Sequence, residues 1–125
     1  MLSLRFVTSL QNLDYDTFCS LIDPNCDVYY VFNGKSTKCT GTDFINVLKQ
    51  GHFENTTQIE LKHLSIDKLE TGDYMICDIT VYHRKGNGMD EFGPGVYQIE
   101  STGTLSFKNG KAVRIVYTFI KTQLQ

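Results

Sequence analysis

Residues 96–121 read VYQIESTGTLSFKNGKAVRIVYTFIK, which is two alternating stretches joined by Asn109 and Gly110. Alternation of apolar and polar side chains has the two-residue period of a strand with one buried face. An Asn-Gly pair between two such stretches is the strongest short-range signal for a tight hairpin. The segment therefore predicts two long antiparallel strands, at residues 96–107 and 112–121.

Strand patterns also occupy other parts of the chain. The further predicted strands lie at residues 28–32, 36–40, 58–69 and 74–84. A second Asn-Gly pair, Asn33 and Gly34, joins the first two of them in a hairpin. A flexible, glycine-rich loop is predicted at residues 86–95, before the last two long strands.

Helical spacing of apolar residues occurs only in the first part of the chain. The first helix is predicted at residues 3–12 with Ser3 as its N-cap, and Asp14 caps a second helix. A third helix is predicted after Gly41, with Thr42 at its cap and Gly51 just past its end. Helices therefore precede most of the sheet in the chain order.

Long twisted strands joined by hairpins curl, and the concave face of the sheet then needs a cover. Gly103 stands alone in the middle of its strand, which predicts a bulge or a kink there. The predicted fold class is α+β, with N-terminal helices packed in the concave face of a curved, mostly antiparallel sheet. The chain of 125 residues is expected to form one cone-shaped domain, residues 1–125.

Composition excludes several classes of function. Hydrophobic residues make up 41% of the chain and the net charge is -2, which argues against nucleic-acid binding. No apolar run approaches the roughly 20 residues that span a bilayer, and residues 1–12 do not resemble a signal peptide. The four cysteines form no CxxC pair and are interpreted as free thiols. We expect a cytoplasmic protein that does not act at a membrane.

Metal and cofactor sites are not expected. The three histidines, His52, His63 and His83, are not at metal-ligand spacing. Asp23 and Asp27 imitate the start of a calcium loop, but the later glycine and glutamate are missing.

The order of these segments resembles the NTF2-like superfamily, which includes SnoaL-type polyketide cyclases, ketosteroid isomerases and nuclear transport factor 2. The segments that carry the resemblance are residues 5–28, the GTDFI sequence at 41–45, and FKNGK at 107–111 followed by Val113, Ile115 and Tyr117. They cover nearly the whole chain and imply the cone fold. The superfamily contains enzymes, ligand binders and assembly domains, so the fold does not decide the function.

Alternation assigns the faces of the three long strands. The inward set of the strand at 74–84 is predicted to be Met75, Cys77, Ile79, Val81 and His83. Its outward set is Tyr74, Ile76, Asp78, Thr80 and Tyr82. The next two strands are predicted to direct inward Tyr97, Ile99, Ser101, Gly103, Leu105, Phe107, Val113, Ile115, Tyr117 and Phe119.

These faces predict a pocket lined mostly by carbon. Its expected ligand-binding residues are Phe6, Tyr30, Leu48, Cys77, Ile79, Val81, Ser101, Ile115, Tyr117 and Phe119. Tyr30 and Tyr117 are its best polar groups, able to orient a ligand carbonyl or to bond to each other, to Ser101 or to water.

The resemblance also bears on catalysis. The ketosteroid isomerases use a carboxylate base, a tyrosine and a protonated carboxylic acid, at positions that fall near Tyr30, Phe6 and Gly103 here. None of the three groups is present, so that activity is not implied. SnoaL-type cyclases use an inward acid and often a histidine, but Asp78 and Glu100 are predicted on the outer face. A slip in strand register would exchange the faces and bring them inward.

Three functional hypotheses remain open. The first is a module that binds a small apolar molecule in the cone. The second is an isomerase, cyclase or dehydratase that uses Tyr30 and His83, with Glu100 if that side chain lies inside. The third is a protein-interaction or dimerisation domain without a ligand. A homodimer is expected in each case, because symmetric dimers are the commonest assemblies.

Overall fold

The computed structural model describes residues 1–85 and 94–125, so most of the loop predicted at 86–95 lies outside the described residues. Its helical elements are α1 (Leu2–Gln11), α2 (Tyr15–Ser20), α3 (Gly41–Leu48) and one turn of π-helix (Lys49–Phe53). Its strands are β1 (Ile22–Phe32), β2 (Lys35–Thr40), β3 (Thr56–Lys68), β4 (Tyr74–Arg84), β5 (Gly95–Lys108) and β6 (Lys111–Gln123).

The strands form one curved six-stranded sheet in the order β2-β1-β6-β5-β4-β3. Every neighbouring pair is antiparallel except β1 and β6, which run parallel. The central hairpin of β5 and β6 turns at Asn109 and Gly110, both with positive φ, as the Asn-Gly signal predicts. The predicted α+β fold with a mostly antiparallel sheet is confirmed.

The core lies between the helices and the inner face of the sheet, which is the face that contacts them. Phe6 of α1, Phe18 of α2 and Phe44 of α3 are buried together, with ring centroids 5.5 Å and 6.3 Å apart. They pack with buried strand residues such as Val28 and Leu105. Full burial of each such side chain contributes roughly 1.5–3 kcal/mol, so this cluster holds the helices against the sheet.

The observed helix ends confirm one predicted cap and differ from two others. Asp14 caps α2 as expected, because its carboxylate accepts a hydrogen bond from the Thr17 backbone N–H at 3.3 Å. Ser3 is not an N-cap but is buried within α1, which begins after Met1. The residue that caps α3 is Thr40, not Thr42.

Thr40 and Asp43 form a reciprocal capping box at the start of α3. The Asp43 backbone N–H donates to Thr40 Oγ1 at 3.2 Å, and Asp43 Oδ2 accepts from the Thr40 backbone N–H at 3.5 Å. The prediction that the helical segment ends at Gly51 was also wrong. Gly51 lies inside the turn of π-helix, which continues the helical path to Phe53.

Two predictions about strands were wrong. The first strand starts at Ile22 rather than at residue 28, and it contains Pro24, with a register shift against β6 between Ile22 and Asp27. Gly103 forms no bulge, since its pairing with β4 and β6 is regular. The irregularity in β5 and β6 occurs at Ser106 and Phe107.

The face assignment of β4 was also wrong. Direct partners in an antiparallel pair lie on the same face, and Ser101 and Ile99 of β5 face inward as predicted. Their partners on β4 are Asp78 and Thr80. The inner face of β4 therefore carries Tyr74, Ile76, Asp78, Thr80, Tyr82 and Arg84, and its outer face carries Met75, Cys77, Ile79, Val81 and His83.

Candidate functional site

A cavity of about 390 Å³ lies between α3, the turn of π-helix and the inner face of the sheet. This volume is within the usual range for sites that hold small molecules. Among the described residues its lining is Tyr30, Phe32, Asn33, Lys35, Thr37, Phe44, Val47, Leu48, Gly51, His52, Tyr82, Arg84, Ile99, Ser101 and Phe119. Most of this surface is carbon, although eight of these fifteen residues carry a polar side-chain atom.

Aromatic rings form one wall of the cavity. The Tyr30 ring contacts Phe44 of α3 and Phe119 of β6, at centroid distances of 5.9 Å and 6.3 Å. Phe119 stacks on Tyr117, 5.3 Å away and nearly parallel, because the two alternate residues lie on one face of β6. Rings that pack on one another in this way are held in fixed positions, so the wall keeps its shape.

His52 forms another part of the cavity wall. The turn of π-helix places its ring edge-on to Phe53 and to Tyr82 of β4, with centroids 4.9 Å and 5.5 Å away. Nε2 lies 2.8 Å from the Leu10 carbonyl oxygen, which can only accept, so Nε2 carries the proton. Burial lowers the pKa of His52 to about 4, with a smaller contribution from the charge of Arg84. The ring is therefore neutral at physiological pH.

A polar row runs along the inner face of β4. Thr80 Oγ1 donates to Asp78 Oδ1 at 2.9 Å and accepts from the Gln11 side-chain amide of α1 at 3.4 Å. Burial raises the pKa of Asp78 to about 6, although the hydrogen bond from Thr80 and the charge of His63 act in the opposite direction. Burial also raises the pKa of the Tyr82 phenol. The row therefore holds a carboxyl group that changes its protonation state just below neutrality.

Asp78 lies beside the cavity rather than in its lining. Its direct cross-strand neighbour is Ser101, which does line the cavity, and Ser101 in turn pairs with Phe119. The charge of Asp78 also acts on Tyr117, whose phenol pKa is raised mainly by burial. The carboxyl group is thus one residue away from the cavity along the sheet.

The structure brings together only some of the predicted ligand-binding residues. Tyr30, Leu48, Ser101 and Phe119 line the cavity. Phe6, Ile115 and Tyr117 are buried in the core that supports it.

The four predicted site residues of β4, namely Cys77, Ile79, Val81 and His83, lie on the outer face of the sheet. Tyr30 and His83, the two candidate catalytic residues, therefore lie on opposite faces. The predicted inward position of this set is wrong. Glu100 is exposed on the outer face as expected.

Several cavity residues were missed from the sequence. Tyr82 and Arg84 were not predicted to line the cavity, because the two faces of β4 were assigned in reverse. Asp78 was placed on the outer face for the same reason. His52 was missed because the π-helical turn that buries it has no sequence signature. The sequence predicts the Asn33-Gly34 hairpin, but it does not indicate that this hairpin borders the cavity. That position brings Lys35 into the lining.

The described part of the chain contains neither a candidate metal site nor a candidate membrane-spanning helix. No cluster of three or more His, Cys, Asp or Glu side chains there could hold a metal ion. Among the helices described, none has the length and apolar character needed to cross a bilayer.

Comparison with known proteins identifies the fold. No protein-family model and no curated protein sequence matches this chain. One similar structure is a SnoaL-like protein of Shewanella putrefaciens, provisionally assigned as a polyketide cyclase. The match covers 94% of this chain and 86% of that protein. The identity is 15% and the TM-score is 0.68. An NTF2-like protein of unknown function from Cytophaga hutchinsonii matches the same shares, at 11% identity and a TM-score of 0.56.

This chain has the NTF2-like fold. An LEH-like epoxide hydrolase of M. tuberculosis shares it, at 16% identity and a TM-score of 0.63, over 94% of this chain and 79% of its own. The resemblance seen in the sequence is confirmed at the level of fold. At these identities the NTF2-like fold does not carry a function with it.

Proposed function

We propose that this protein binds a small, largely apolar molecule in the cavity between α3 and the sheet. The observation that carries the proposal is the aromatic lining of a cavity of about 390 Å³. Apolar surface contributes about 25 cal/mol for each Å² removed from water, so such a lining favours a ligand with a hydrophobic body. The lining also includes the hydroxyl groups of Tyr30 and Ser101, which are suited to orient a polar group of the ligand.

Binding of N-phenylnaphthylamine, a neutral dye that fluoresces in apolar surroundings, tests the proposal. Leu48 lines the cavity and Asn46, two residues earlier on α3, is exposed. Leu48→Trp should fill the cavity and weaken binding about tenfold or more, whereas Asn46→Trp should leave it unchanged. Equal binding by both variants contradicts the proposal. If Leu48→Trp does not fold, Ser101→Leu fills the cavity from the opposite side.

An acid–base enzyme is the second candidate, and Asp78 is the observation that favours it. A carboxyl group whose pKa is raised to about 6 can accept and return a proton near neutral pH. An isomerase, cyclase or dehydratase would then pair Asp78 with Tyr30, because His83 lies on the other face of the sheet. Asp78→Asn should abolish turnover of any substrate found, while leaving affinity for the neutral dye intact.

We further propose that the protein is a cytoplasmic homodimer. Its four cysteines are free thiols, which fits a reducing compartment. The outer face of β4 carries Met75, Cys77 and Ile79, partly exposed side chains that lose contact with water when a second copy covers them. A two-fold pairing of this face buries the same residues from both copies.

A further inference from the structure

We infer that the ligand of the cavity carries one anionic group, such as a carboxylate, beside its apolar body. This inference rests on the proposed binding function and adds the charge of the ligand to it. Its basis is the set of charged side chains that line the cavity, from which Asp78 is separated by Ser101.

Both charged residues in the described lining are cationic. Lys35 is the first residue of β2 and Arg84 is the last residue of β4, and both line the cavity. No Asp or Glu is among the described lining residues, and His52 is neutral. The described lining therefore has a formal charge of +2, one from Lys35 and one from Arg84, although the whole chain is acidic, at -2.

Of the two cations, Arg84 should attract an anion more strongly. Its side chain is only 9% exposed, whereas Lys35 is exposed to solvent. A charge with little solvent around it interacts more strongly than one in water, because screening is weaker. The charge of Arg84 also contributes to the lowered pKa of His52, so it acts on the cavity wall.

Arg84 does not need to be free of other contacts for this role. A guanidinium group has five N–H donors in a planar fork, so it can hold a protein partner and still donate to a ligand. The same fork matches the two oxygens of a carboxylate. Lys35 adds a flexible second cation that lies at the solvent-exposed β1–β2 hairpin.

Two dyes with one ring skeleton isolate the charge. Anilinonaphthalenesulfonate is N-phenylnaphthylamine with one added sulfonate, so the ratio of their affinities measures the preference for an anion. We expect the sulfonate to bind about three- to tenfold more tightly at low salt. We expect that preference to fall in about 1 M salt, where the screening length is about 3 Å.

Charge variants then locate the effect. Arg84→Gln and Lys35→Gln should each lower the ratio of sulfonate affinity to neutral-dye affinity about two- to fivefold, whereas Arg84→Lys should keep most of the preference. Lys38→Gln, an exposed residue of β2 outside the described lining, is the matched control and should change neither affinity. Lys35→Gln alters only an exposed side chain, so it keeps the test valid if Arg84→Gln fails to fold.

The two proposals fail in different ways. If the neutral dye binds in the cavity but the sulfonate binds no more tightly, the ligand is not selected for negative charge and only the inference is overturned. An anion preference that Lys38→Gln reduces as much as Lys35→Gln also overturns it, since the charge then acts nonspecifically. If Leu48→Trp blocks neither dye, both the binding function and the inference fall.

Discussion

Gly103 of β5 lies directly opposite Tyr117 of β6, and the tyrosine ring covers the glycine. A Cβ atom at position 103 would lie 2.5 Å from the Tyr117 ring, closer than non-bonded carbon atoms pack. The absent side chain thus lets the ring lie against the strand, where it stacks between Phe6 and Phe119. This glycine supports the aromatic wall of the cavity.

Gly103→Ala should destabilise the protein by about 1–3 kcal/mol, because the ring must move out of a packed core. Urea unfolding monitored by circular dichroism measures the loss. Thr102→Ala, at the exposed neighbouring position, should cost much less. Combining Gly103→Ala with Tyr117→Leu should cost less than the sum of the two single changes; strict additivity contradicts the contact.

Asp78 and His52 have opposite effects on the pH dependence of stability. The pKa of Asp78 rises from 3.8 in the unfolded chain to about 6, so stability is lost as pH rises between these values. The pKa of His52 falls from 6.5 to about 4, so stability is lost as pH falls through that window. Each change corresponds to roughly 3 kcal/mol, and the two nearly cancel between pH 4 and 6.

Single variants should reveal how Asp78 and His52 each make the stability of the protein depend on pH. Asp78→Asn should make the protein more stable at pH 7 than the wild type and leave stability rising with pH between about 4 and 6.5. His52→Gln should leave stability falling with pH in the same window. Urea unfolding at a series of pH values measures both. Two variants with the flat profile of the wild type would show that neither group is buried as described.

The structure places the N-cap of α3 at Thr40, whereas the sequence predicts it at Thr42. Thr40→Ala should destabilise the protein by about 1 kcal/mol, because it removes the acceptor for the Asp43 backbone N–H. Thr42→Ala should cost less, since Thr42 donates only a 3.3 Å bond to the Pro24 carbonyl on the surface. Thermal unfolding compares them, and a larger loss from Thr42→Ala would place the cap where the sequence predicted it.

The proposed dimer gives a prediction about mass. Ile79→Glu adds a charge to the outer face of β4 and should convert the dimer to a folded monomer. Light scattering after gel filtration gives the mass, and circular dichroism shows that the fold persists. Ser36→Glu, at an exposed site on β2, should stay dimeric. A wild-type protein that is already monomeric at high concentration contradicts the proposal.

The sequence predicts the central hairpin well for a physical reason. In β5 and β6 the buried alternate positions are apolar or small, as at Leu105 and Ile115, so burial and hydrophobicity agree. The Asn109-Gly110 turn fixes the register between them. Cap positions are harder, because Thr40 and Thr42 both precede an apolar helical stretch and only the geometry of Asp43 decides between them.

The candidate site is where the prediction failed, and β4 is the cause. Its inner face buries Thr80 and carries the half-buried Asp78, while its outer face leaves Met75 exposed and Ile79 half-buried. Hydrophobicity alone therefore assigns the faces in reverse, and pairing with Ser101 and Ile99 overrules it. Polar side chains on an inner face that hydrogen-bond each other, as Thr80 and Asp78 do, cannot be recognised as inward-facing from the sequence alone.

The central claim is that a small apolar molecule binds in the cavity beneath α3. Nuclear magnetic resonance of the labelled protein, titrated with N-phenylnaphthylamine, tests it most directly because each backbone amide reports its own surroundings. The account predicts the largest shifts at the inner lining, among them Leu48, His52, Tyr82 and Ser101. Shifts confined to outer-face positions such as Met75, Ile79 and His83, or no saturable shifts at all, would contradict it.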